Sequence, residues 1–593
     1  MKRKLALLTA VLLLVTLFAG CGGGGTTTPT AAPATQAPAT AAPATPSGGG
    51  TSTPAPAPTE EPSPYNLAAG KYAVDERGIP LSKYDYELPL TTSDEVFTYW
   101  RAVQLPDQID VDHYEDMPYP KFLRERTGVH IKYMIIASAA RKENFASMLA
   151  SDDLPNLVSG YHSYYPGTML NSIEDGYSVN LYDYKEYIPN YWYTIWSHED
   201  DVTFRGKMME NSTTISEFKC LNDMHINSYG AVCRGDWLDK IGKKVDDIIT
   251  LDDFHNMALA FQSQIGCEHP LALYKTLDAH LYMSCFDTIA QVGGTSAAPF
   301  APMYIKDVKV QIADSTDADL RYMTNLNGWY NEGLIIPNWI NFSGNTDFPA
   351  DFQNDLIGIT STQPSGVTAL VDKEIQPDAY WTPLHEPVLY EGQVFHLGDW
   401  ASWIQGFGNW AVSTSTENIP LLLTYCDWYY SDQGIFDTNW GPEGYGFFYN
   451  EQGEPELTDF IVKNPAGMNY AVVGFLFSDL HEGGVLLRIR SFSYPEARPR
   501  WAWFDVWNGE YYHYDGSMVW PGCFTISNED KSYINSVATD ISTFISENYL
   551  MFVDNSAPLT EWDHYVNTLT NLPGWNESIA IWQSYYDDWL KTR

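Results

Sequence analysis

An α/β body in two large lobes is what the sequence predicts, and three observations predict it. Strand and helix signals alternate from residue 96 onward, and helices opened by capping boxes recur towards the C-terminus. About 530 residues follow a long uncharged stretch, more than one hydrophobic core usually serves.

The chain opens with Met1, Lys2, Arg3 and Lys4 and an uncharged apolar run from Leu5 to Ala19, the basic and apolar parts of an export signal. That run is too short for a transmembrane helix. It ends in Leu17-Phe18-Ala19-Gly20-Cys21, which matches a bacterial lipobox, so residues 1–20 are expected to be a cleaved lipoprotein signal peptide and Cys21 to carry a diacylglycerol. Two acyl chains, at about 0.8 kcal/mol per buried CH₂, hold a protein durably, which predicts a lipid anchor on the extracellular face of the cell membrane. Residues 22–59 carry no charged side chain and are almost wholly Gly, Thr, Ala, Pro and Ser. Such a segment cannot bury enough apolar surface to offset chain entropy, so residues 21–64 read as a disordered tether.

In the body, Val96-Phe97-Thr98-Tyr99-Trp100 reads as a buried strand, Tyr119 to Arg126 as a helix stopped by Gly128, and Val129 to Ile135 as a second strand. A helix from Arg141 to Ala150 and a strand ending at Val158 follow, before a loop from Ser159 to Gly167. This alternation implies a parallel sheet whose ligand loops follow the carboxyl ends of its strands. Trp100, Tyr161, Tyr164 and Tyr165 fall at such ends.

A new unit starts near Tyr229, with a strand at Ala231-Val232-Cys233 and a helix at Asp236 to Lys240. Thr250 and Asp253 form a capping box ahead of Phe254, Met257, Ala258 and Phe261 at helical spacing. Ser527 with Asp530 precedes Val537, Ile541, Phe544 and Ile545 in the same way, and Thr560 with Asp563 opens a third such helix. Ile579, Trp582, Tyr585, Tyr586 and Trp589 make one apolar stripe, and residues 441–459 read as a hairpin or exposed loop.

Composition narrows the function. The 75 acidic and 34 basic residues give a net charge of −41, which argues against nucleic acid and anionic head groups as partners. Apart from Cys21 there are Cys220, Cys233, Cys267, Cys285, Cys426 and Cys523, which allow fifteen full pairings or none. No C-x-x-C, H-E-x-x-H, G-x-S-x-G, G-x-x-x-x-G-K-[ST] or G-x-G-x-x-G occurs, and the 13 histidines have no ligand spacing. The chain is therefore expected to be no enzyme; no cofactor and no metal-ligating residue are assigned, and the sequence leaves open whether a metal contributes. A glycosidase remains the alternative, since its two carboxylates, about 5 to 9.5 Å apart, have no sequence signature. A surface adhesin is a further one.

Short motifs in order along the body carry a family resemblance: Phe122 to Val129, Ala150 to Leu157, Leu181 to Asn190, Arg234 to Gly242, Thr250 to Phe254, Trp329 to Pro337, Tyr430 to Gly434, Asn439 to Gly444 and Glu561 to Tyr565. Together with the lipobox they resemble the extracellular solute-binding lipoproteins of bacterial carbohydrate ABC transporters, in particular the LplA/LipO-like branch. Gly235, where the family often has Lys, and the aromatic-rich stretch from Glu386 to Trp410 depart from its pattern.

The resemblance implies a two-lobe periplasmic-binding-protein-like fold of type II, each lobe a mixed sheet flanked by helices, with the ligand cleft between lobes. The chain would cross near 220–229, 380–387 and 430–438, so that lobe 1 holds residues 95–228 and about 383–430, and lobe 2 holds 229–382 and about 431–593. It implies a carbohydrate ligand, an oligosaccharide, and the permease subunits of an ABC importer as partners.

A sugar ring has an apolar face and a rim of hydroxyls, so its site needs aromatic planes beside polar groups. Twenty tryptophans are many for two cores. Trp400 and Trp403 beside Asp399 are the densest candidates, then Trp410, Trp440, and Trp501 with Trp503 after Arg498 and Arg500; each is also open to a core role. Trp100, Tyr161, Tyr164, Tyr165, Asp399, Trp400, Trp403 and Trp440 are the expected ligand-binding residues. Arg488 and Arg490 alternate as on a strand and suit either an acidic sugar or salt bridges.

Overall fold

The strands and helices of the first lobe follow one another as the alternation predicts: β1 (Val96–Val103), α1 (Pro118–Thr127), β2 (His130–Ala137), α2 (Arg141–Ala150) and β3 (Leu157–Ser159). β1 pairs in parallel with β2, from Val96↔His130 to Val103↔Ala137, and with β3 on its other side. Both faces of this sheet are covered. Phe97, Tyr99 and Leu157 pack with Tyr119 and Leu123 of α1, whereas Trp100 and Val158 pack with Phe145 and Met148 of α2. This is the burial expected of parallel strands with crossover helices on opposite faces. The structure, a computed structural model, describes residues 63–103, 111–197, 202–224, 230–273, 284–288, 301–341, 349–364, 366–396, 408–464, 473, 483–508, 513–514, 517–518, 520 and 526–591.

β4 (Leu221–Asn222) leads to β5 (Gly230–Arg234) and α3 (Leu251–Ala260). The predicted capping box opens α3: Asp253 N–H donates to Thr250 Oγ1 at 3.1 Å, and Thr250 N–H donates to Asp253 Oδ2 at 2.9 Å. A hairpin of β6 (Met303–Lys306) and β7 (Lys309–Ile312) precedes α4 (Asp317–Asn331). β8 (Ile359–Thr362) and β9 (Trp381–Pro383) flank β5, both antiparallel to it, and Leu271 bridges Ile359 in parallel.

β10 (Trp410–Val412) returns to the first sheet antiparallel to β3, giving the order β10-β3-β1-β2. β11 (Val485–Leu486) pairs in parallel with β4. The long α5 (Asn528–Val553) and α6 (Trp575–Leu590) end the chain, burying Ile541, Ile545, Trp582 and Tyr586 of the predicted stripes. The stretch 441–459 contains a hairpin, Phe447–Tyr449 against Pro455–Leu457.

Two local expectations differ. The helix Trp562–Thr570 has no side-chain cap, because a 3₁₀ turn at Leu559–Glu561 runs directly into it and Thr560 lies inside that turn. Arg488 and Arg490 lie in a 3₁₀ helix, Arg488–Phe492, not on a strand.

Residues 63–593 form one compact unit with two large cores. The first core draws on residues 68–221 and 410–430, the second on 231–395 and 492–586. Leu384, Val388 and Phe395 belong to the second core, because the Leu384 N–H donates to Ala231 at 2.9 Å and holds this segment beside β5. The described residues up to Phe395 thus pack with the second core, and those from Trp410 pack with the first. Trp440, at the end of the helix Asp432–Trp440, packs with Val103 of β1, Phe447 and Leu457. The crossing expected near 430–438 accordingly lies after β11, before Phe492 joins the second core. Among the described residues, no helix is long and apolar enough to cross a membrane.

Candidate functional site

Strand order reverses at β1. The connection through α1 carries the chain to β2 on one side, and the connection through α2 carries it back to β3 on the other. In an open parallel sheet such a reversal leaves a crevice at the carboxyl ends of the two strands, where ligands bind. Here that place is occupied by the turn after β3, Gly160 to Tyr165, and by Asn409 at the amino end of β10, whose carbonyl accepts from Gly160 N–H at 2.7 Å.

A charged cluster underlies this turn. Glu217 is fully buried, and its Oε1 accepts from the His162 backbone N–H at 3.2 Å and lies 3.1 Å from His162 Nδ1. Its Oε2 accepts from Lys219 Nζ at 2.9 Å and from Asn409 Nδ2 at 3.4 Å. Burial alone would raise the Glu217 carboxyl; the charges of Lys219 and His162 and their hydrogen bonds outweigh it and hold the group well below the usual carboxylate range. Burial would likewise lower Lys219, but the Glu217 charge dominates and its ammonium is held above its ordinary value.

Both carboxylate oxygens are engaged, so Glu217 orients its neighbours and is not placed to move protons. With Nδ1 turned to Glu217, the Nε2 of His162 has no hydrogen-bond partner among the described residues, and the side chain is 28% exposed. An imidazole fixed by a carboxylate on one nitrogen presents the other, as acceptor when neutral and donor when charged.

The backbone around this cluster forms the link between lobes. Phe218 and Trp410 exchange backbone hydrogen bonds at 2.9 Å, and Cys220 N–H donates to Asn409 Oδ1 at 2.9 Å, so residues 217–220 run along β10. They continue into β4, which lies parallel to β11, and both strands leave the first core towards the second. Aromatic rings press on both crossings: a Cβ on Gly483 (φ 54°) would lie 2.4 Å from the Trp410 ring, and one on Gly230 would lie 2.5 Å from Trp507. Only glycine lets the chain pass there. Asp223, just beyond β4, accepts from the Arg488 backbone N–H at 3.0 Å. It is solvent-exposed, yet partial burial by the crossing strands still pushes its carboxyl up, against the Arg488 N–H and charge.

The expected aromatic residues fall into three groups. Trp100, Tyr161, Tyr164 and Tyr165 do come together, but as packing beneath α2. Trp100 is 0% exposed with its Nε1 donating to Asn144 at 2.7 Å, and Tyr161 stacks on Tyr165 with centroids 5.6 Å apart. Tyr165 donates to Asp175 at 2.5 Å, and only Tyr164 of the four is half-buried. Trp100 lies in the middle of β1, which runs on past it to Val103, and only Tyr161 follows a strand end; both fill the space under the helix that covers this face of the sheet and offer no open ring face. Trp440 is likewise buried.

Trp410 is core too, its Nε1 donating to Tyr99 at 2.9 Å. Asp399, Trp400, Trp403 and the lipidation residue Cys21 lie outside the described residues. Arg490 is buried, whereas Trp501 and Trp503 are half-buried in the second lobe. His162, Glu217, Lys219 and Asn409 had no sequence signal beyond the spacing Glu-x-Lys, which puts two side chains on one face of an extended strand. Among the described residues, no group of three His, Cys, Asp or Glu is placed to hold a metal.

No protein-family model matches the chain, and no curated protein matches it. Solved structures do. An extracellular solute-binding protein from Bifidobacterium longum subsp. infantis is 17% identical with a TM-score of 0.63, covering 84% of this chain and 99% of that one. The alginate-binding protein AlgQ2, in a crystal structure without calcium ion, is 19% identical with a TM-score of 0.57 over 84% of this chain and 99% of its own. The Streptococcus pneumoniae ABC-transporter substrate-binding protein FusA in complex with kestose is 18% identical with a TM-score of 0.57, over 84% of this chain and 100% of its own. The chain thus has the two-lobe fold of periplasmic-binding-protein-like solute-binding proteins.

Proposed function

We propose that this chain is an extracellular, lipid-anchored receptor that captures a carbohydrate between its lobes and delivers it to the permease subunits of a membrane ABC importer. The observation that carries the reading is the joining of two separate cores by β4 and β11 directly beside a polar cluster at the strand-order reversal. Ligand held there can touch both lobes, and a ligand that touches both favours the closed arrangement by its extra contacts. Fold neighbours whose names include alginate-binding and a complex with kestose support a saccharide as the ligand. The lipobox at Cys21 and the uncharged tether support anchoring beside a transporter with freedom to turn.

The test is a thermal-shift and calorimetric screen of the mature protein against mono-, oligo- and acidic saccharides. Saturable binding, a raised melting temperature, a smaller radius of gyration and no product formed are expected. A flat response to all of them sinks the sugar reading. Turnover of an oligosaccharide replaces it with a glycosidase, and attachment to polymers or cells without closure replaces it with an adhesin.

A further inference from the structure

The β6–β7 hairpin is built against its own electrostatics. Its register puts Lys306 directly opposite Lys309, and like charges facing across an antiparallel pair destabilise it. The two turn residues both have positive φ, Asp307 at 51° and Val308 at 63°, a geometry suited to Asn-Gly and strained for a β-branched side chain. Gln583 of α6 holds this turn in place, donating from Nε2 to the Val308 carbonyl at 3.1 Å and accepting from Val310 N–H at 2.9 Å.

Beside the hairpin, Thr316 caps the 15-residue α4, and Arg321 lies one turn into that helix. Lys306, Lys309 and Arg321 line one open concavity of about 410 Å³ together with Tyr304 and Thr316. Asp307 and Asp317 also line it, leaving one net positive charge, yet among the described residues no ion pair joins them to the three cations. In a chain with a net charge of −41, three unpaired basic side chains converging on one hollow oppose the prevailing field.

We propose that this hollow binds the oxyanion groups, phosphate or carboxylate, of a small multiply charged molecule. Two ammonium groups supply point charges and Arg321 supplies a donor fork, one nitrogen of which donates to Phe286 at 3.0 Å. A bound anion between Lys306 and Lys309 removes the repulsion that the empty hairpin carries. The site shares no residue with the Glu217 cluster and is independent of the saccharide reading.

The experiment is calorimetric titration of the mature full chain with pyrophosphate and, separately, with citrate, in chloride at constant ionic strength, on wild type and Lys306→Gln/Lys309→Gln. Saturable one-site binding of at least one anion is expected, weakened tenfold or more in the variant. The tighter arm tells a phosphate from a carboxylate ligand. In chloride alone the variant should melt at or above wild type, since the like-charge pair is gone. Saturable binding of neither anion, or a loss smaller than tenfold in the variant, overturns the proposal. Saccharide binding run on the same two proteins should not differ, so a failed sugar screen leaves the anion result readable.

Discussion

Glu217 and Lys219 stand two residues apart on one extended segment, and their side chains meet with carboxylate and ammonium 2.9 Å apart. An i, i+2 spacing puts both on the same face of the strand, here the face turned into the lobe. Glu217 is 0% exposed and Lys219 is 12% exposed, so the pair owes its persistence to completeness. His162 and Asn409 occupy the remaining carboxylate positions. A buried pair of this kind positions groups; a hydrophobic substitute of equal volume could match its stability.

Glu217→Gln should therefore cost about 3–5 kcal/mol, because it leaves Lys219 charged and without its counter-ion. Glu217→Gln/Lys219→Met should recover much of that loss. The sign of the pH effect follows from the depressed carboxyl. Its stabilisation is complete above the ordinary value of 4.5 and drains away as pH falls below it, so Glu217→Gln should flatten the acid limb of the stability profile. Urea midpoints between pH 3 and pH 7 decide the matter; an unchanged acid limb in the variant would sink it.

Asp427 should act in the opposite direction. It is buried and accepts from Tyr86 Oη at 2.7 Å, Asn190 N–H at 3.1 Å and Tyr191 N–H at 2.7 Å. Burial pushes its carboxyl from 3.8 up to about 7 despite those bonds. Folding then takes up a proton between these values, and stability falls as pH rises through that window, by at most about 1.4 kcal/mol per pH unit. Asp427→Asn should lose this slope. A slope of the same size in the variant would show that another group carries it.

The elements most legible in the sequence were those set by local chemistry. The cap of α3 lies within four residues, and Phe254, Met257 and Ala258 repeat at helical spacing, so nothing distant was needed. The lobe boundaries were less legible because Leu384 is placed by a hydrogen bond to Ala231, a partner that no local pattern announces. Trp100 and Tyr161 were expected at strand ends, as a ligand platform would be, yet β1 runs on past Trp100 to Val103, and a parallel sheet covered on both faces buries such residues as core. The Glu217 cluster was invisible for the same reason: His162 and Asn409 are 55 and 192 residues away in the chain.

The cysteines allow a direct chemical check. Cys220, Cys233, Cys267 and Cys426 are free, and these four and Cys285 are buried. Burial pushes Cys220 and Cys267 up to about 12 and raises the other three as well. The thiolate is the reactive form, so these five should resist Ellman's reagent in the native protein and react together in guanidinium. Rapid modification of any one of them under native conditions, located by peptide mass spectrometry, would contradict this.

The last prediction separates packing from binding, and it rests on the saccharide reading. Trp100→Ala removes a fully buried ring and its bond to Asn144, so it should cost about 3–5 kcal/mol of stability. Where that variant is still folded, its saccharide affinity should lie within about threefold of wild type, since the ring has no open face and the expected difference is well under 1.4 kcal/mol. His162→Ala should do the reverse. The backbone N–H of residue 162 still donates to Glu217, and Lys219 and Asn409 still hold its other oxygen, so the stability loss should be about 1 kcal/mol. The exposed imidazole edge is gone, however, and saccharide affinity should fall about tenfold, the worth of one hydrogen bond to a charged or oriented group. Melting curves and titrations on the two variants give four numbers. If Trp100→Ala loses affinity while His162→Ala keeps it, the ligand lies against the aromatic cluster under α2, not at the β1/β3 crevice.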